Sequence, residues 1–272
     1  MNFKQQHIII TGGSSGIGKA TAKLFAKQGA NIYLISRDFH KLNLAQIEIQ
    51  NECVLPEQKI MIFSADVGDR PQIETTIKSI IDNHGEPDIL INSAGIAHPD
   101  YFQKLSLDVF EKTMAINYFG SLYCIKAVLP AMEKRKKGHI VMLSSGAGLI
   151  GIFGYSAYSS SKFAIRGLAE SLRGELKLLG INISIVYPPD TDTPQLQQEN
   201  KTKPKETKMI TESVKIWSPE AVAQEIIKGI NNKNFIITPG IEMTILAKFH
   251  SLISSLINHK LDHQIAKIKQ SN

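Results

Sequence analysis

The stretch His7-Ile8-Ile9-Ile10-Thr11-Gly12-Gly13-Ser14-Ser15-Gly16-Ile17-Gly18-Lys19 decides how this chain is read. Its first five residues form a short apolar run that ends in glycines, the pattern of a buried strand. From Gly16 to about Gln28 the pattern is helical, and Gly29 suits a C-terminal cap. Asn31 to Ser36 is a second strand. A glycine turn between strand and helix lets backbone approach a pyrophosphate, and the helix N-terminus adds N–H donors and a favourable dipole. The spacing of Gly12, Gly16 and Gly18 is not strict G-x-G-x-x-G, but its place in a β-α-β unit gives it weight.

The same rhythm continues along the chain. Further strands are expected at Lys59–Phe63, Asp88–Ile91, His139–Leu143, Ile181–Tyr187 and Phe235–Ile237. Helical patterns separate them, notably Ser106–Lys134, Ser156–Leu179 and Pro219–Ile230. Such alternation predicts an α/β fold: a doubly wound, Rossmann-type parallel sheet of about seven strands with helices on both faces. Residues 1–240 are read as one such domain, with no repeats.

Composition narrows the setting. The 272 residues carry a formal net charge of +6, much of it in Lys134-Arg135-Lys136-Lys137 and in Lys201, Lys203, Lys205 and Lys208. No basic helix interleaved with aromatics is present, so no nucleic-acid partner is expected. Solvated lysines, or attraction to an anionic cofactor or membrane, account for the excess equally well. Cys53 and Cys124 cannot build a disulfide framework and are expected as buried thiols in a reducing, cytoplasmic compartment. Met1 to His7 run straight into a strand without an apolar stretch of signal-peptide length. Nowhere are there about 18 consecutive apolar residues, so no spanning helix is expected.

The chemistry is read from Tyr158-Ser159-Ser160-Ser161-Lys162, with Ser145 upstream. On a helix the phenol and the ammonium share one face. A neighbouring cation favours a phenolate, which is a way to build a general acid or base without histidine. At the end of the second strand stands Ser36-Arg37, with no acid where a ribose-binding carboxylate would lie. An arginine there pairs with a 2′-phosphate, which favours NADPH over NADH. Asp38 reads as the N-cap of the next helix.

Together with Asp66-Val67, Asn92-Ser93-Ala94-Gly95 and Asn117, these segments resemble the short-chain dehydrogenase/reductase family from Thr11 to about Pro194. The resemblance implies a nicotinamide cofactor and a homodimer or homotetramer. It implies that Ser145 hydrogen-bonds a substrate carbonyl and that Tyr158 donates the proton as hydride arrives. Lys162 would hold the nicotinamide ribose and lower the tyrosine pKa, and Asn117 would support a water relay toward Lys162. Cofactor contacts are implied for Gly12, Ser14, Ser15, Gly16, Ile17 and Gly18, with Arg37 at the adenosine end. Asp66 and Val67 would flank the adenine. Asn92 would stabilise the central strand near Ala94 and Gly95. Thr193 would contact the carboxamide, with Thr191 as its neighbour.

Two departures stand out. Ser93 replaces a second Asn, a mild change. Pro188-Pro189 replaces Pro-Gly, and proline neither donates an N–H nor takes positive φ, so the loop must run differently. With the segment Pro188 to Thr207, this resembles the 3-ketodihydrosphingosine reductase branch of the family. That branch implies NADPH-dependent reduction of the 3-keto group of a long-chain base. Another ketone, such as a 3-oxoacyl thioester or a steroid, and a non-catalytic NADPH-binding regulator stand as alternatives.

The region 188–217 is read as a long, polar lid over the substrate, its four lysines solvated and Trp217 a packing residue. Residues 241–272 are read as a helical extension whose apolar spacing over 241–269 fits an amphipathic helix. That pattern serves peripheral membrane contact and packing on protein equally. His259 and His263 have helical ligand spacing, but nothing completes a metal site, and none is expected.

Overall fold

The computed structural model describes residues 3–212 and 215–270. Strand β1 (His7–Thr11) passes through the glycine turn into α1 (Gly16–Ala26), β2 (Asn31–Ser36), α2 (Phe39–Gln50), β3 (Ile60–Ser64), α3 (Arg70–His84) and β4 (Ile89–Asn92). Helix α4 (Leu107–Met114), a π-helical turn (Ala115–Phe119) and α5 (Gly120–Arg135) then run on without a break. They lead to β5 (Gly138–Leu143), α6 (Ser156–Leu178) and β6 (Ile181–Val186). After α7 (Pro194–Thr202), α8 (Lys205–Glu212), α9 (Pro219–Asn231) and β7 (Ile236–Ile237), α10 (Ile241–Gln270) closes the chain. The expected strands lie within about a residue of those observed, the usual fraying of element ends.

All seven strands are parallel, in the order β3-β2-β1-β4-β5-β6-β7. The inner strands are buried on both faces, which is why they read as nearly unbroken apolar runs, while the edge strands β3 and β7 are partly exposed. In β1 the alternation is visible residue by residue. Ile9 joins Tyr33, Leu90 and Ile140 under α3, α5 and α6. Ile8 and Ile10 join Ile32, Leu34 and Val141 under α1, α2 and α9. Order reverses between β1 and β4, so their carboxyl ends diverge into the crevice where this architecture holds its ligands.

Two regions differ from the sequence reading. The expected loop over 188–217 contains two helices. Thr193 caps α7 by accepting from the Leu196 N–H at 3.2 Å, with Pro194 in its first turn. Polar composition hid a pattern that tertiary contacts stabilise. Lys203, expected in solvent, is buried, while Lys201, Lys205 and Lys208 are exposed. Helix α10 is present as expected, but its first turns are part of the body. Met243, Leu246 and Ala247 pack on the core, and Met243 lies against Gly146. Further along, Phe249, Leu252 and Leu256 are exposed. No described helix is long and apolar enough to cross a membrane. Trp217 packs on the core beside Gly240, as expected, and both cysteines are free, Cys124 buried and Cys53 half-buried.

The core also holds one polar liability with a measurable consequence. His139 of β5 is buried, its Nε2 2.7 Å from Ser184 Oγ, and burial pulls its pKa down to about 4. The unfolded chain takes up that proton near the ordinary value of 6.5, and the folded state does so only near 4. Stability from this site is therefore complete above about 6.5 and is lost as pH falls toward 4, by about 3 kcal/mol in all. Urea unfolding between pH 7 and 4 should show a shallower decline in His139→Gln than in the wild type, by about that amount.

Candidate active site

A cavity of about 310 Å³ opens at the β1/β4 crevice. Its floor is the glycine turn. Gly12 has φ 68°, and a Cβ there would lie 2.8 Å from the Ala94 backbone. A Cβ on Gly18 would lie 2.6 Å from the Gly12 carbonyl oxygen, so helix and turn approach more closely than any side chain permits. Thr11 Oγ1 accepts from the N–H groups of Ser93 and Ala94 at 3.2 Å each, tying the two strand ends together. Ser15 occupies the N-cap of α1 but makes no side-chain cap. The first-turn N–H groups are thus left to face a ligand. This cradle suits a pyrophosphate.

At the adenosine end, Asp38 accepts from the Lys41 N–H at 3.0 Å and is the expected N-cap of α2. That leaves Arg37 on the cavity wall, half-exposed, 3.7 Å from Asp66 Oδ2. Asp66 in turn accepts from the Gly68 N–H at 2.9 Å.

The reactive groups converge from β5 and α6. Ser145 follows the end of β5 in extended backbone, its Oγ accepting from the Ala147 N–H at 3.2 Å. One helical turn separates Tyr158 from Lys162, as their spacing requires. The Lys162 amine lies 5.4 Å from the Tyr158 ring centre and donates to the Leu143 carbonyl at 2.9 Å, fastening α6 to the end of β5. Asn117 sits buried in the π-helical turn, a local widening common at functional sites. Its Nδ2 donates to the Ile96 carbonyl at 3.0 Å and to Ser161 Oγ at 2.9 Å, and its Oδ1 accepts from the Ile96 N–H.

Electrostatics here run against the expected lowering of the tyrosine pKa. Burial pushes the Tyr158 phenol up and Glu199 adds to this, while the Ser145 and Gln195 side chains pull the other way. Burial brings the Lys162 ammonium down to about 8, against an upward pull from Glu199. Desolvation is the largest influence on the phenol, and it favours the acid form.

Of the expected residues, Gly12, Ser14, Ser15, Gly16, Ile17, Arg37, Val67, Ala94, Gly95, Ser145, Tyr158, Lys162, Thr191 and Thr193 line the cavity. Gly18, Asp66, Asn92 and Asn117 do not line it, although Asp66 lies 3.7 Å from the lining Arg37. Asn92 is buried with neither side-chain polar atom partnered, so the structure gives it no bond of its own to strand or cavity. After Pro188-Pro189 the chain pairs with Trp217: the Trp217 N–H donates to the Asp190 carbonyl and the Asp192 N–H to the Trp217 carbonyl, both at 2.9 Å. Among the described residues no three His, Cys, Asp or Glu side chains form a metal-binding group, and the side chain of His263 lies outside those described.

The sequence reading missed four residues: Tyr155, Asp190, Gln195 and Glu199 all line the cavity. Tyr155 precedes Tyr158 by one turn, and Gln195, Glu199 and Lys203 follow one another at i+4, a helical spacing that was available but lay in a segment read as loop.

Sheet order, glycine cradle and cavity together define a dinucleotide-binding α/β protein of the doubly wound class. The family described as short chain dehydrogenase matches residues 6–204, and the chain belongs to that family. It is similar to the 3-ketodihydrosphingosine reductase of Mus musculus, 47% identical over 84% of this chain and 69% of the relative. A 3-ketodihydrosphingosine reductase of Dictyostelium discoideum is 45% identical over 86% of this chain and 75% of the relative. Among solved structures, levodione reductase matches with a TM-score of 0.79 at 24% identity, covering 87% of this chain and 96% of that one. A short chain dehydrogenase/reductase from Burkholderia phymatum, solved with NAD, matches with a TM-score of 0.81 at 22% identity and covers 96% of both chains.

Proposed function

We propose that this protein is an NADPH-dependent oxidoreductase that reduces the 3-keto group of 3-ketodihydrosphingosine to the alcohol. The observation that carries the chemistry is the convergence of Ser145, Tyr158 and Lys162 on one wall of the cavity that the glycine turn opens. The substrate reading is supported by relatives at 45–47% identity that bear the name of this activity.

The glycine turn and the first-turn N–H groups of α1 would hold the pyrophosphate, Arg37 would pair with the 2′-phosphate, and Thr191 and Thr193 would hold the nicotinamide end. The bound dinucleotide supplies the hydride. Ser145 Oγ holds the substrate carbonyl oxygen. Tyr158 gives its phenolic proton to that oxygen as the carbon is reduced, so the ketone becomes a secondary alcohol and the tyrosine a phenolate. A phenol held in its acid form suits the reductive direction. Lys162 stabilises the resulting phenolate, and Asn117 orders the polar path behind it through Ile96 and Ser161.

The segment 188–217, through α7, forms the substrate-side wall and acts as the lid. Peripheral membrane contact would run through the exposed Phe249, Leu252 and Leu256 of α10, and co-sedimentation with anionic vesicles reads it out. A homodimer or homotetramer is the assembly the family resemblance implies.

The test is NADPH oxidation by purified protein with 3-ketodihydrosphingosine in detergent, beside NADH and a 3-oxoacyl thioester. Turnover that requires the sphingoid ketone supports the reading; turnover of the thioester alone removes it. Arg37→Glu should lower the NADPH-over-NADH ratio of kcat/KM by about 100-fold, the loss of a charge-assisted phosphate contact. An unchanged ratio would move 2′-phosphate recognition elsewhere.

A further inference from the structure

The substrate side of the cavity holds a charge that the reduction itself does not use. Glu199 of α7 is 8% exposed and lines the same cavity as Ser145 and Tyr158. One carboxylate oxygen accepts from the Tyr155 phenol at 2.6 Å, and the other from the Gln195 amide at 2.8 Å. Both donors are neutral. Among the described residues no Lys, Arg or His nitrogen lies within 4.0 Å of this carboxylate. Lys203, the buried cation nearby, approaches Asp190 at 4.0 Å and sits 6.0 Å from the Tyr155 ring centre. Lys162 is held on the Leu143 carbonyl. Lys203 thus makes its close approach to Asp190, and Glu199 feels the charges of Lys203 and Lys162 only through space, with no described cation in ion-pair contact.

A buried carboxylate with neutral donors alone is costly until a cation completes it. Burial accordingly holds the Glu199 carboxyl above its ordinary range, as it does Asp190. Glu199 accepts from Tyr155, whose ring centre lies 5.7 Å from that of Tyr158, so the charge stands close to the reacting carbonyl, and its field reaches Tyr158 and Lys162. An amine on the carbon next to a ketone lies roughly 3 Å from the ketone oxygen by standard bond lengths. An aminoketone whose oxygen meets Ser145 and Tyr158 thus carries its ammonium toward this wall. Neutral ketones bring no cation to it, and anionic carriers of acyl thioesters are repelled by it.

Resting on the sphingoid reading above, we propose that Glu199, oriented by Tyr155 and Gln195, is the specificity-determining anion that binds the ammonium group of a 2-amino-3-ketone substrate. Asp190 and Lys203 form the neighbouring pair that leaves Glu199 available.

The experiment compares kcat/KM for 3-ketodihydrosphingosine and for the same long-chain ketone without its 2-amino group, in the wild type, Glu199→Gln and Glu199→Asp. NADPH affinity, read by fluorescence, reports that each variant is folded. The wild type should prefer the aminoketone by about 100-fold, the scale of a desolvated charge pair. Glu199→Gln should collapse that preference to within a few-fold, mainly through KM, and Glu199→Asp should restore part of it. A preference retained by a Glu199→Gln protein that binds NADPH normally overturns the assignment, as does a wild type that treats both ketones alike. Failure of the sphingoid reading looks different: the wild type would turn over neither long-chain ketone, and the assignment would fall with it.

Discussion

Tyr158→Phe should lower reduction of the sphingoid ketone by about a thousand-fold, the usual worth of a positioned general acid. The substitution removes one oxygen and little else. The ring still packs beside Tyr155, 5.7 Å between centroids, and still lies under the Lys162 amine. NADPH affinity should therefore change by less than about tenfold, since the lost hydroxyl is one contact among many. Nothing in the wall replaces the missing proton donor. Ser145 is a much weaker acid, and the Lys162 amine is held by the Leu143 carbonyl at 2.9 Å. Single-turnover reduction measured at saturating NADPH separates the chemical step from binding. A variant that retains more than about a tenth of wild-type turnover would take the proton-donating role away from Tyr158.

Gly12→Ala should weaken NADPH binding by at least about 100-fold, equivalent to some 2.7 kcal/mol. Two costs add. A left-handed conformation costs an L-residue about 1–2 kcal/mol, and Gly12 holds φ 68°. The new Cβ would also meet Ala94 Cα and N at 2.8 Å. Both are backbone atoms, so no rotamer change relieves the contact. Either the turn or the β4 end must shift, and the β4 end is held by the Ala94 N–H on Thr11 Oγ1. The movement opens the cradle where backbone N–H groups face the pyrophosphate. Calorimetric titration with NADPH, beside thermal unfolding of the apoprotein, checks this: the loss of affinity should exceed what the fall in stability explains. Wild-type affinity in Gly12→Ala would show that the turn does not carry the phosphate.

The expectations that held were those governed by short-range rules. Apolar runs such as His7–Thr11 and Ile181–Val186 are strands because they are buried on both faces, and their pattern needs no partner to be recognised. Asp38 is an N-cap because of its side chain and position. Tyr158 and Lys162 share a face because helical spacing puts them there. By contrast, α7 and α8 lie in a polar segment with little local signal. They are held by contacts from far along the chain: Tyr101 donates to Glu206 at 2.9 Å, and Thr207 to the Phe153 carbonyl at 2.9 Å. Burial of Lys203 against Asp190 was illegible for the same reason.

By itself the sequence determined the parallel doubly wound sheet, the glycine cradle, the face shared by Tyr158 and Lys162, and Arg37 in place of a ribose-binding acid. Each follows from the side chains within a few residues of one another. Only the tertiary structure decided that desolvation governs the Tyr158 phenol. It alone brought Tyr155 onto Glu199 across 44 residues of chain, seated the first turns of α10 on the core, and left Asn92 without a partner. Burial and charge compensation depend on which distant segments meet, and one segment's spacing carries no record of its neighbours in space.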